Sequence, residues 1–235
     1  MTIRSFVVLG LSLVLGLAIF GIQIAHAVKT GREFDRYLTV KGLSERDAKA
    51  DLAIWPIRFA VAADDLGNLK SGMEFNRAIV LAYLKSSKIG SNEINEGLPD
   101  ITDRQDLRIQ SGTPALARYR ALVTMVVRST NVDIVKRTIQ GADSLLEKGV
   151  SLGGEDQGQQ TQFIFNALND VKPEMIREAT ANARASAEKF AEDSHSKVGR
   201  IRKATQGVLE IEDRDAASPE WKTLRIVTTV DFFLE

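Results

Sequence analysis

Cysteine is absent from all 235 residues, which excludes disulfides, thiolate nucleophiles, iron–sulfur clusters and thiolate zinc sites together. Histidine is almost as scarce, with only His26 and His195. An excess of either charge is also missing: Lys+Arg and Asp+Glu are both 31, for a formal net charge of zero. Nucleic-acid binders need a basic surface to displace counterions, and no long run of like charge appears, so no nucleic-acid partner is expected. A chain without disulfides must rest on its core, or on assembly, for stability.

What is present begins at the N-terminus. From Phe6 to Ala25 there is no charged residue, and Leu, Val, Ile and Phe dominate. As a helix, residues 6–27 would span about 33 Å, enough for a bilayer core of about 30 Å. Two readings follow. Ala25-His26-Ala27 has the small-x-small form of a signal-peptidase site, whereas the apolar run exceeds the roughly 7–15 residues of a signal h-region and favours an uncleaved anchor. Residues 1–27 are therefore read as signal anchor or signal peptide, 28–35 as a juxtamembrane connector and 36–235 as an exported domain. The basic n-region and single span predict that the C-terminal mass is translocated. The protein is expected in the inner membrane, held in the lipid bilayer through residues 6–27 with its domain in the periplasm, or free in the periplasm if cleaved after Ala27.

Beyond the connector, residues 36–42 read as a strand. Residues 51–64 follow, with Ala53, Trp55, Ile57, Phe59 and Val61 on one face at period two. Pro56 inside that run argues for an edge position or a bulge. Helical spacing takes over at residues 66–88 through Leu66, Leu69, Met73, Val80 and Leu84. Residues 94–101 hold at best a short strand, and residues 119–128 alternate again. Thr130 or Asn131 caps a helix with Val135, Ile139, Ala142 and Leu146 on one stripe, ending at Gly149. A strand near residues 162–168 precedes the longest helix, which opens at Asp170 with Pro173 in its first turn and a stripe of Ile176, Ala179, Ala183, Ala187 and Phe190. Residues 204–213 and 222–234 close the chain as strands. The expected fold class is α+β: one antiparallel-rich sheet with about three helices packed on one face, preceded by the N-terminal transmembrane helix or signal segment.

Candidate sites are few. Gly149-Val150-Ser151-Leu152-Gly153 matches the G-x-S-x-G nucleophile elbow, which needs a strand before the serine and a helix after it. Here a helix precedes it. His195, with Asp193 close by, is the one histidine available as a base, and its place at a helix end is explained by the helix dipole. The loop of residues 153–158 has no Lys-Ser/Thr and carries Glu155 and Asp156, which repel phosphate. The carboxylate groups Asp64-Asp65, Glu45/Asp47 and Glu210/Glu212/Asp213/Asp215 lack calcium-loop spacing and read as solvated turns. No catalytic, cofactor-binding or metal-binding residue is assigned, no cofactor is expected, and the protein is read as a non-enzyme.

Three stretches carry a family resemblance: Tyr37 to Glu45 (YLTVKGLSE) continuing to Trp55; Ala187 to Ala191 (AEKFA) running on to Ile201; and Arg225 to Asp231 (RIVTTVD). Together they resemble the bacterial SIMPL-domain family over about residues 36–234. The resemblance implies an exported, envelope-associated α+β protein, with homo-oligomers and, in some bacteria, tolerance of oxidative stress. It supplies no catalytic residues to carry over. The long N-terminal segment departs from relatives that are soluble after cleavage and implies tethering. The function expected is thus a membrane-tethered, self-assembling SIMPL protein supporting envelope integrity or stress tolerance; the alternative is a periplasmic module binding a small ligand or partner protein.

Overall fold

The computed structural model describes residues 13–25, 36–105, 117–153 and 160–235. Helix α1 covers residues 13–25. There follow β1 (Tyr37–Lys49), β2 (Leu52–Ala63), α2 (Leu66–Ser86), β3 (Ile94–Glu96), β4 (Asp100–Asp103), β5 (Tyr119–Ser129), α3 (Val132–Gln140), α4 (Ser144–Glu147), β6 (Ser151–Leu152), β7 (Gln162–Ile164), α5 (Leu168–Asp193), β8 (Val198–Gln206), β9 (Glu210–Asp213) and β10 (Trp221–Leu234). The class is α+β as expected, but the strands form two sheets where one was expected. One sheet has the order β1-β10-β8, with β9 also on β10; the other has the order β3-β5-β2-β6, with β4 on β5 and β7 on β2.

The chain divides into two compact units. The first is Met1–Arg46, Val171–Glu210 and Arg225–Glu235; the second is Asp47–Asp170 and Ile211–Leu224. Both tryptophans, Trp55 and Trp221, belong to the second.

In the second unit β2 and β5 pair antiparallel over eleven residues, from Ala53↔Ser129 to Ala63↔Tyr119. Their inward rows, Ala53, Trp55, Ile57 and Phe59 with Val123, Met125 and Val127, pack on Val80 and Leu84 of α2, Val135 of α3 and Leu145 of α4. β2 is a central strand with unbroken register to β5, so the bulge expected as one alternative at Pro56 is absent. The Gly153 amide donates to the Arg58 carbonyl at 2.9 Å, so even-numbered β2 residues direct their backbone groups away from β5. On that side β7 pairs with residues 52–54 and β6 with residues 59–60. The missing amide of Pro56 falls in the gap between them, where no ladder bond is lost.

The helical stripe expected to end on Leu146 is broken. The residues from Gly141 to Asp143 interrupt the helix between α3 and α4, shifting the phase, so that Leu145 is buried and Leu146 is 55% exposed.

In the first unit the Leu234 amide donates to the Arg36 carbonyl at 3.0 Å and the Thr39 hydroxyl to Asp231 at 2.8 Å, so β1 and β10 run antiparallel. On the inward row of β10, Ile226, Val230 and Phe232 are fully buried, and Ala183 and Ala187 of α5 lie on Val230 and Phe232. The buried row of α5 is Met175, Ala179, Ala183, Ala187 and Ala191, with Phe190 52% exposed. Constant four-residue spacing makes a ridge inclined to the helix axis, suited to a twisted sheet; the expected row mixing Ile176 and Phe190 ran straight. The helix also begins two residues before Asp170.

Of the expected membrane segment only α1 is described, and every residue in it is exposed. Among the described residues no helix is long and apolar enough to cross a membrane. His26 and Ala27 of the cleavage motif lie outside the described residues, as do residues 154–158 of the glycine-rich loop.

Candidate functional site

Among the described residues two charged side chains are buried, Glu220 and Lys222, both in the second unit. They sit where the chain turns from β9 into β10: the Arg214 amide donates to the Trp221 carbonyl at 2.9 Å and the Trp221 amide to the Ser218 carbonyl at 2.9 Å. Strand alternation then decides the fate of Lys222. It occupies the same row as Leu224, Ile226 and Thr228, so its stem is buried while its ammonium group emerges onto Asp213 of β9.

Glu220, one residue before the strand, is 5% exposed. Lys136 Nζ of α3 donates to its Oε1 at 2.5 Å. The Ala50 amide donates to its backbone carbonyl at 2.8 Å, and Oε2 has no partner among the described residues. Burial alone would push this carboxyl up. The hydrogen bond from Lys136 and the charges of Lys136 and Lys49 outweigh it and hold the group below the usual carboxylate range. Lys49 in turn binds both oxygens of Asp133, at 2.6 and 2.7 Å, and that bond lowers Asp133. Two cations and two anions so neutralise each other around the start of α3, beside a cleft of about 270 Å³ lined by Lys49, Asn131 and Asp133.

A larger cleft, about 570 Å³, opens beside Lys222 and is lined also by Asp213, Pro219 and the chain from Gln160 to Ile164. All of its lining lies in the second unit. A third, of about 240 Å³, is bounded by Tyr83, Lys88, Ile134 and Arg137. There the Tyr83 hydroxyl donates to the Thr138 carbonyl at 2.5 Å, and burial raises the phenol.

The residues singled out in the sequence take other places. Ser151 is exposed and opens β6 opposite Ala60. The strand–serine–helix order of a nucleophile elbow is not formed: α4 precedes it, and Gly149 ends that helix at φ 81°. His195 is exposed at φ 54° and belongs to the first unit, whereas Ser151 belongs to the second. The Ser196 amide donates to the Ala191 carbonyl at 2.8 Å and the His195 amide to that of Glu192 at 3.1 Å. His195 is thus the left-handed residue of a Schellman cap on α5, with Asp193 as the last helical residue. Lys88, at φ 66°, closes α2 in the same way.

The carboxylates are dispersed as well. Asp65 caps α2 and accepts from the Asn68 amide at 2.9 Å, which lowers it. Asp64 accepts from the Arg118 amide at 3.2 Å. Asp47 accepts from Thr223 at 2.9 Å, and Glu45 lies 4.0 Å from Arg225. Asp215 is lowered first by its hydrogen bond from Arg214. Glu210 and Glu212 are exposed on β9. Among the described residues no three histidine or acidic side chains could hold a metal ion.

Sequence reading missed Glu220 and Lys222. Lys222 was legible, because it continues backwards the alternation of residues 224 to 234. Glu220 was not, since its burial comes from a turn and from Lys136, distant in sequence.

A family model named SIMPL, described as a protein of unknown function (DUF541), matches residues 38–225. No curated protein matches the chain. The matched span runs from the second residue of β1 through the first five residues of β10, and so takes in the alanine-faced helix and the hairpin that buries Lys222. The chain belongs to the SIMPL family.

Proposed function

We propose that this protein is a non-enzymatic SIMPL domain tethered to the envelope membrane by its N-terminal segment, exported on that segment, and assembled with copies of itself to support envelope integrity or stress tolerance. The observation that carries the tethering is α1. Its residues 13–25 include Leu13, Val14, Leu15, Leu17, Ile19, Phe20, Ile22 and Ile24, each 48–68% exposed, an apolar surface that water disfavours and lipid accepts. Self-assembly is supported by β8, a nine-residue strand at the edge of its sheet, since an open edge offers unpaired backbone groups to another chain. Arg200, Arg202 and Lys203 on it are exposed and would repel their own copies in a β8-to-β8 pairing. The charge pattern therefore favours a head-to-tail contact, which closes into a ring when the rotation allows. The native mass of the full-length protein, extracted in mild detergent, tests this. A discrete multimer is expected; a monomer at high concentration would remove the assembly, and recovery in the soluble periplasmic fraction would remove the tether. The second reading, a ligand-binding module, is favoured by one observation, the cleft beside Lys222.

A further inference from the structure

The cleft beside Lys222 has three features in combination. It holds a lysine 8% exposed whose ammonium, with three donors, has Asp213 as its one hydrogen-bond partner among the described residues. It also holds three consecutive polar side chains, Gln160, Thr161 and Gln162, that make no side-chain hydrogen bond among the described residues. Finally, its volume of about 570 Å³ falls within the 300–1,000 Å³ of small-molecule sites.

The charges select the ligand class. Lys222 and Asp213 already neutralise one another, so a charged ligand would have to break that pair and leave the partly desolvated lysine or its carboxylate without its counter-charge. A neutral ligand need not. The remaining donors of Lys222 require acceptors, the outer oxygen of Asp213 requires a donor, and each glutamine amide offers two donors and an acceptor oxygen. The threonine hydroxyl both donates and accepts. A hydroxyl does the same, and vicinal hydroxyls on a rigid ring present alternating donors and acceptors at the spacing of such groups. Pro219 and Ile164 supply apolar wall for the carbon face. We propose that this cleft binds a neutral polyhydroxylated molecule of mono- or disaccharide size, held chiefly by Lys222, Asp213 and Gln162. This makes the ligand-binding reading specific and stands apart from the tether.

The test is saturation-transfer NMR and calorimetry on the full-length protein in a polyoxyethylene detergent, whose head group carries no sugar. The probes are glucose, N-acetylglucosamine, trehalose and cellobiose in one set, and glutamate, glycine betaine and diglycine in the other. At least one neutral saccharide is expected to bind, with affinity falling about tenfold or more in Lys222→Met. Gln162→Ala and Thr161→Val, on partly or fully exposed residues at the rim, should each weaken it severalfold with the unfolding midpoint unchanged, which keeps the test valid should Lys222→Met fail to fold. Binding of the charged set alone overturns the ligand class and leaves a binding module. Saccharide binding indifferent to the rim variants overturns the site. No binding by either set overturns both the inference and the ligand-binding reading.

Discussion

Gly42 is where the first unit is least able to accept change. A Cβ built there would stand 1.8 Å from the Ala179 carbonyl oxygen and 2.5 Å from the Ala183 amide nitrogen, against an optimum separation of about 3.5–4.0 Å for non-bonded carbons. Both obstacles are helix backbone, so no rotamer change relieves them, and Gly42→Ala must drive β1 and α5 apart by more than about 1 Å. The opposing faces are short: Ala179, Ala183 and Ala187 are all fully buried. A gap of about 0.5–1 Å already forfeits a quarter to a half of each dispersion contact along such a row. Overpacking costs about 1–3 kcal/mol in ordinary cores; with rigid partners on both sides the upper end, about 3 kcal/mol, is expected here, a large share of the roughly 5–15 kcal/mol of a typical fold. Urea unfolding followed by far-ultraviolet circular dichroism measures it, and a slope of about 1–3 kcal/mol per molar converts the loss to a midpoint fall of about 1–3 M. Gly149→Ala is the comparison. Gly149 has φ 81° and nothing within 4 Å of its added Cβ, so that variant carries backbone strain alone, about 1 kcal/mol. If Gly42→Ala loses no more than Gly149→Ala, the close approach of strand and helix does not limit this unit and the reasoning fails.

Lys136→Met should strand the buried Glu220 carboxylate and destabilise by about 1–3 kcal/mol at neutral pH, less than a fully buried pair because Lys136 is about one-third exposed. Glu220 is depressed in the folded state, so its contribution is present above the ordinary glutamate range and is lost as pH falls below it; the gap between wild type and variant, read by urea titration at several pH values, should therefore narrow on acidification. A gap that stays constant would show that the pair acts by packing alone. Lys88→Gly and His195→Gly relieve left-handed backbone at two helix ends and should each raise stability by about 0.5–1 kcal/mol in the same assay. His195→Gly also removes the histidine that a hydrolase reading of Ser151 requires, so ester hydrolysis present in the wild type and lost in this variant would revive that reading.

Alternation makes β2, β5 and β10 legible in the sequence. Residues 53 to 61 and 119 to 127 each place an apolar residue at every second position, residues 224 to 234 do so except at Thr228, and each run is a strand. The second half of β1 escaped notice because its inward positions beyond Gly42 are Ser44, Arg46 and Ala48, which together give no hydrophobic signal. Residues 198–203 escaped because β8 is exposed almost throughout, so burial imposes no period on it. The division into two sheets was hidden for a different reason: strand partners are chosen by contacts far apart in sequence, and nothing in a single strand's pattern says whether it joins one sheet or another. The cleft beside Lys222 belongs to the same class, since Gln162 lines it with Lys222 only through the fold.

The placement of both tryptophans in one unit has an optical consequence. Indole emission will follow the second unit alone, and Trp221, stacked against Arg214 at 5.1 Å from guanidinium carbon to ring centroid, sits one residue from the buried lysine. The first unit holds no tryptophan, and its single tyrosine is Tyr37. An unfolding curve recorded by fluorescence and one recorded by circular dichroism therefore sample different portions of the same chain. Their coincidence would mean that the two units melt as one cooperative body, and their separation would give each its own stability from a single unlabelled sample.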